Sequence, residues 1–186
     1  KADLSEGQTF RVGRTSLINL KRLYLLRNVF IQTQTIRTMK EFSIRKKLFG
    51  KEVEFVLYDI SKLVGGEIVE EVYGEALRLQ KIFNFFDKSS ELSSLNKRRK
   101  LKVSNELMRV ISKSLELSKK TCGNYDITLG KQIIRRKKGE KEESPGCTYK
   151  DIIIQKNIIT LDNEDILIDL GSIAKGYVVD KLTEFL

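Results

Sequence analysis

Near the end of the chain, "IDLGSIAKGYVVDKL" (Ile168–Leu182) places an acid, two glycines, a lysine and a tyrosine within a few residues. Asp169 at a strand end would project a carboxylate beside a turn. Gly171 lets the backbone turn sharply and approach a ligand. Ser172 suits the N-cap of a helix starting at Ile173, whose free amides and dipole form an anion site. Lys175 would add a point charge suited to phosphate, Gly176 would leave room for a flat group, and Tyr177 could stack or hydrogen-bond. A plain strand–helix corner, with Gly176 packed on a neighbour, explains the same residues equally well. The lysine precedes the glycine, so this is not a Walker A loop, and no dinucleotide fingerprint is present.

A second stretch, "GNYDITLG" (Gly123–Gly130), would hold an aromatic, Tyr125, and a carboxylate, Asp126, in a turn. A local cap made by Asp126 accounts for it as well. Taken alone, "SSELSSLN" (Ser89–Asn96) reads as a capped turn or short helix. The 186 residues contain no histidine, so chemistry here must rest on carboxylates, lysine, hydroxyls or backbone groups. Cys122 and Cys147 are too few and too far apart for a disulfide framework or a zinc motif. Cys122 continues an apolar helical stripe and is expected in the core.

The elements positioning these residues follow from periodicity. "KEVEFVLYD" (Lys51–Asp59) alternates and is β-branched and aromatic, a strand. Gly65-Gly66 should break the chain. From Glu67 the positions Ile68, Val72, Ala76, Leu79 and Phe83 form a helical stripe facing a core, with Phe86 ending the helix and set apart from it. Ser104 should cap a further helix carrying Glu106 in its first turn, Lys119 and Lys120 in its last, and Gly123 beyond it. A charged loop is expected over Arg135–Cys147. Three β segments follow at Ile152–Ile154, Ile158–Leu161 and Ile166–Leu170. The class is α+β, helices packed on a mostly antiparallel sheet. The chain stops at Leu186 in mid-helix without a C-cap, which suggests truncation.

Taken in order, four segments resemble the ApbE family, the FAD:protein FMN transferases. "FGKEVEFVLYD" stands where the family has Met-Gly-Thr and a strand, and "FDKSSELSSLN" matches its Ser-x-Leu-Ser-x-x-Asn element. "GNYDITLG" matches Gly-Ala-Phe-Asp-Pro-Thr-x-Gly, and "IDLGSIAKGYVVDKL" matches Asp-Leu-Gly-Gly-Ile-Ala-Lys-Gly-Tyr-x-x-Asp. The resemblance implies transfer of FMN from FAD to a threonine hydroxyl of a target protein, such as a redox-complex subunit or flavoprotein reductase, with release of AMP and use of Mg²⁺. It implies that Phe86 presents an aromatic to the flavin and that Asn124, Tyr125, Asp126, Gly171 and Tyr177 contact FAD. By the same resemblance Lys175 lies near the diphosphate and the Ala174 carbonyl helps hold Mg²⁺. Phe49, Lys51 and Ile127 depart from the family's methionine, threonine and proline. The family's remaining metal ligands and its Asn-Ala-Gly-Gly element would lie beyond Leu186, so the chain by itself is expected to be poorly active. An FAD-binding protein without transfer activity is the alternative reading.

The net charge of +10 raises nucleic acid or a membrane surface as a partner. The basic residues fall in separate clumps, however, and no aromatic–basic motif accompanies them, so a nucleic-acid-binding module ranks last. Lysine-rich surfaces also occur in heat-adapted proteins. "SLINLKRLYLLRNVFIQ" (Ser16–Gln32) is interrupted by Lys21, Arg22 and Arg27, which argues against a bilayer span or a signal peptide. Residues 1–38 are expected to be a disordered or amphipathic extension before Met39, with 39–186 the N-terminal part of the transferase domain. Without a signal peptide or lipobox, a cytoplasmic location is favoured over anchorage on the outer membrane face.

Overall fold

The computed structural model describes residues 8–11, 40–141, 144 and 146–185. Strands β1 (Gln8–Arg11), β2 (Glu41–Leu48) and β3 (Lys51–Tyr58) precede helices α1 (Lys62–Phe83) and α2 (Glu91–Arg98). Strand β4 (Lys100–Lys102), helices α3 (Asn105–Lys120) and α4 (Gly130–Lys138), strands β5 (Ile152–Gln155) and β6 (Ile158–Leu161), and helix α5 (Ala174–Phe185) complete the chain. The class is α+β, as the sequence predicts. Of the extension expected over residues 1–38, β1 is described and the remainder, with the Ser16–Gln32 segment, lies outside the described residues.

Two compact units divide these elements, one formed by Lys1–Leu77 with Val178–Leu186 and the other by Arg78–Tyr177. In the first, β3 is central, parallel to β1 and antiparallel to β2. Phe42 and Ile44 alternate with exposed Glu41, Ser43 and Arg45 along β2, the pattern of a strand with one covered face. Phe49 and Gly50 join β2 to β3 with positive φ at both residues, the type I′ geometry whose twist suits a tight hairpin. Leu48, Val53, Val56, Val69, Val72 and Leu182 are buried in this unit. Aliphatic side chains of β3, α1 and α5 also line a cavity there, which holds none of the sequence-predicted site residues.

Gly65 and Gly66 do not break the chain; α1 begins at Lys62 and runs through both. A Cβ at Gly65 would lie 2.6 Å from a ring carbon of Phe42, so packing against β2 outweighs the low helix propensity of glycine. The same helix ends at Phe83, three residues short of Phe86.

The second unit contains the antiparallel sheet β4–β6–β5 and the helices α2, α3 and α4. Ser90 and Ser104 cap α2 and α3 by accepting from the N–H groups of Ser93 and Leu107. Leu92, Leu95, Leu107, Ile111, Ile159 and Ile168 have no exposed surface; burial of each such side chain contributes about 1.5–3 kcal/mol.

Three expectations fail in this unit. Cys122 is exposed, because α3 stops at Lys120 and the chain turns through left-handed φ at Cys122 and Gly123. Ser114 and Ser118 take the buried positions, their hydroxyls donating to Val110 and Ser114 carbonyls one turn earlier. Arg135–Lys138 are the last turn of α4, where cations suit the helix dipole and Gly139 closes the end in the left-handed region. The segment Ile166–Leu170 belongs to neither sheet. It is extended, makes a parallel bridge at Leu129–Leu167, and is held further by backbone bonds to Ile127 and Asn163 and by the side chains of Asn96 and Arg99.

Candidate functional site

The Asp169–Tyr177 corner and the Gly123–Gly130 turn meet within the second unit. The Leu167 N–H donates to the Thr128 carbonyl, the Asp169 N–H to the Ile127 carbonyl, and the Gly130 N–H to the Leu167 carbonyl, at 3.3, 2.9 and 2.8 Å. A Cβ on Gly130 would collide with that Leu167 carbonyl, so only glycine permits the approach. Across this seam the Tyr125 hydroxyl lies 3.2 Å from the Ser172 hydroxyl. Seven expected site residues, Asn124, Tyr125, Asp126, Gly171, Ala174, Lys175 and Tyr177, are thus carried by two adjoining backbone segments.

Asp126 holds its own turn together. One carboxylate oxygen accepts from the Thr128 N–H and hydroxyl at 2.9 and 2.8 Å, and the other from the Tyr149 N–H at 2.9 Å. Thr128 is fully buried. Cys147 is buried too; burial pushes its thiol pKa up, opposed by a hydrogen bond with Thr128. Asn124 is exposed and Tyr125 half-buried.

At the corner, the Gly171 N–H donates to Asp169 Oδ1 at 2.7 Å. The Ala174 N–H donates to the Leu170 carbonyl at 2.8 Å as α5 begins. The helix therefore starts at Ala174, one residue later than expected, and the Ser172 hydroxyl faces Tyr125. Gly171, Ser172, Lys175 and Gly176 are exposed, whereas Ala174 is buried. A Cβ on Gly176 would meet nothing within 4 Å, which removes the packing explanation for this glycine. Tyr177 sets its ring edge-on to Phe83, with centroids 5.5 Å apart.

Phe86 lies in the turn after α1, 63% exposed, its N–H bonded to the Asn84 side-chain oxygen. Its ring meets Phe85 edge-on, and Lys137 Nζ stands 3.9 Å from the ring centroid, within cation–π range. Next to it, the Ser89 hydroxyl and N–H hold the Asp87 carboxyl below the usual carboxylate range.

Several contributors escape a reading of sequence. Gly130 and Thr128 belong to the quoted turn, but their roles depend on segments distant along the chain. Lys137 sits in a basic clump that reads as solvated loop. Asn96 looks like the end of a capped turn. Among the described residues no group of three Asp, Glu or Cys side chains is arranged to hold a metal. None of the described helices is long and apolar enough to cross a membrane.

The model of the ApbE family matches residues 49–186. The fold is similar to the ApbE protein of Thermotoga maritima, at 22% identity and a TM-score of 0.65, over 77% of this chain and 51% of that one. It is also similar to the flavin transferase ApbE of Vibrio cholerae, at 18% identity and a TM-score of 0.63, over 80% and 54%. The apo flavinyl transferase ApbE of Pseudomonas stutzeri gives 18% identity and a TM-score of 0.65, over 82% and 54%. At these identities the likeness establishes the fold, and the chain spans about half the length of these proteins. No curated protein sequence matches it.

Proposed function

Because the chain belongs to the ApbE family, we propose that the protein is a flavin transferase that moves FMN from FAD onto a threonine hydroxyl of a target protein. The observation that carries this reading is the joining of two motif segments at Tyr125 and Ser172, below an exposed surface formed by Gly171, Lys175 and Gly176.

In the proposed reaction the threonine oxygen attacks the phosphorus of the FMN half of FAD. A new P–O bond forms, the diphosphate P–O bond breaks, and AMP leaves with its oxygen. The threonine proton passes to a base outside the residues assigned here. Such transfers depend on positioning and charge neutralisation more than on covalent help from the protein. Lys175 and the first amides of α5 supply positive charge for the diphosphate. Gly171 and Gly176 leave the backbone bare for close approach, while Asn124 and Tyr125 offer hydrogen-bonding groups beside it. Asp126 holds the turn and has remaining acceptor capacity toward the ligand. Tyr177 completes the corner with Phe83 behind it. Phe86 offers a ring face to the flavin once Lys137 shares or vacates it.

The resemblance implies magnesium, with the Ala174 carbonyl among its ligands. The described residues do not fit a cation site by themselves, so no step is assigned to the ion, and its other ligands would come from outside them.

The test is incubation of the full-length protein with FAD, Mg²⁺ and a threonine-bearing acceptor domain. Ultraviolet-fluorescent acceptor on a denaturing gel, with stoichiometric AMP, is the expected result. FAD binding without covalent flavin would identify an FAD-binding protein. Absence of both, with salt-sensitive DNA binding in their place, would return the basic surface to consideration.

A further inference from the structure

The geometry points to Asn96 as the positioning residue for the Asp169–Gly176 corner, its side-chain amide standing in for a missing strand neighbour. This inference rests on the reading that the corner receives FAD.

Along an extended segment, successive residues direct their backbone groups to opposite edges. Leu167 and Asp169 bond to one edge, toward Ile127, Thr128 and Gly130. Ile168 faces the other edge, which no strand among the described residues covers, and it has no exposed surface through which to reach water. An unmet N–H or C=O there would cost about 1–3 kcal/mol. Asn96 meets both: its Oδ1 accepts from the Ile168 N–H at 2.8 Å, and its Nδ2 donates to the Ile168 carbonyl at 2.9 Å. A carboxamide carries the same donor and acceptor as a peptide group, so one side chain supplies a single rung of a β-ladder.

The platform for this rung is firm. Helix α2 is capped by fully buried Ser90 and anchored by Leu92 and Leu95. One turn beyond Asn96, the Arg99 guanidinium donates to the carbonyls of Leu161, Asn163 and Ile166. The C-terminal end of α2 therefore grips the backbone just before the corner. Asp169 follows Ile168 directly and sets the Gly171 turn, and α5 begins after it. A shift at Ile168 would pass directly to Gly171 and Lys175, with little intervening chain to absorb it.

The test combines amide hydrogen exchange without FAD and FAD titration, on full-length wild type, Asn96→Ala, Asn96→Asp and Val110→Ala. Asn96→Asp keeps the shape and the acceptor but loses the donor to Ile168. Val110→Ala, in α3, is the control for a general loss of stability. We expect both Asn96 variants to exchange the 166–177 amides about tenfold faster and to bind FAD about tenfold or more weakly, the scale of a small misplacement. Val110→Ala should do neither once folded. Wild-type exchange and affinity in both Asn96 variants would overturn the inference, as would equal loosening by Val110→Ala. If wild type takes up no FAD while the Asn96 variants still loosen 166–177, the FAD reading fails and the positioning role stands.

Discussion

The Gly123–Gly130 turn and the Asp169–Tyr177 corner share a backbone seam yet use their polar groups in opposite ways. The turn directs its carboxylate and its buried threonine inward: Asp126 satisfies Thr128 and Tyr149, and Gly130 admits the Leu167 carbonyl. The corner is held mainly through its backbone, and it leaves Gly171, Ser172, Lys175 and Gly176 exposed. The contrast teaches that a motif residue's chemical type does not reveal its task. A carboxylate can be scaffold, while a bare glycine can be the surface that a ligand meets.

If this division is correct, substitutions in the turn should cost stability first. Gly130→Ala should have the largest effect, about 2–3 kcal/mol from overpacking against the Leu167 carbonyl, measured by denaturant unfolding. A near-neutral result would show that the seam is loose. Asp126→Ala should cost about 2 kcal/mol, because it leaves the Tyr149 N–H and the Thr128 groups without their acceptor. FAD affinity lost without any stability change would instead make Asp126 a ligand contact.

The corner should respond the other way. Gly176→Ala meets no steric obstacle and adds helix propensity, so thermal denaturation should show a gain of up to about 1 kcal/mol. A loss would mean that the glycine serves the fold.

The smallest effect is electrostatic and lies beside Phe86. The Asp87 carboxyl is held below its ordinary value by the Ser89 hydroxyl and N–H. Its folded-state pKa is depressed, so its stabilising contribution is present above the unfolded value and is lost as the pH falls through the folded one. A carboxyl-detected NMR titration should place the Asp87 midpoint below that of free aspartate; a midpoint at or above it would remove the Ser89 hydrogen bonds from the account.

Much of this arrangement is legible along the chain where the signal is local. The strand over Lys51–Tyr58, the Ser104 cap and the stripe from Val72 to Phe83 are all met by the structure. Signals fail where a distant partner decides the outcome. Gly65 is helical with the Phe42 ring lying against it, and Ile166–Leu170 lies outside the sheets with the Asn96 side chain bonded to Ile168. Strand β2 is masked by Arg45, Lys46 and Lys47, and α4 by its basic last turn and lack of a side-chain cap. Cys122 shows the limit of periodicity, since a stripe extrapolates smoothly past the residue where its helix stops. Within the candidate site, the residue types were legible and the division between scaffold and surface was not.

The central claim is that the exposed corner around Gly176 is the face that receives FAD. Equilibrium titration of FAD into full-length wild type and Gly176→Leu, followed by flavin fluorescence, tests it most directly. A leucine there points into open space and should leave the fold intact, while filling the ground that the ligand would occupy. The expected result is a wild-type fold with FAD binding weakened about tenfold or more. Unchanged FAD affinity in a folded Gly176→Leu protein would contradict it.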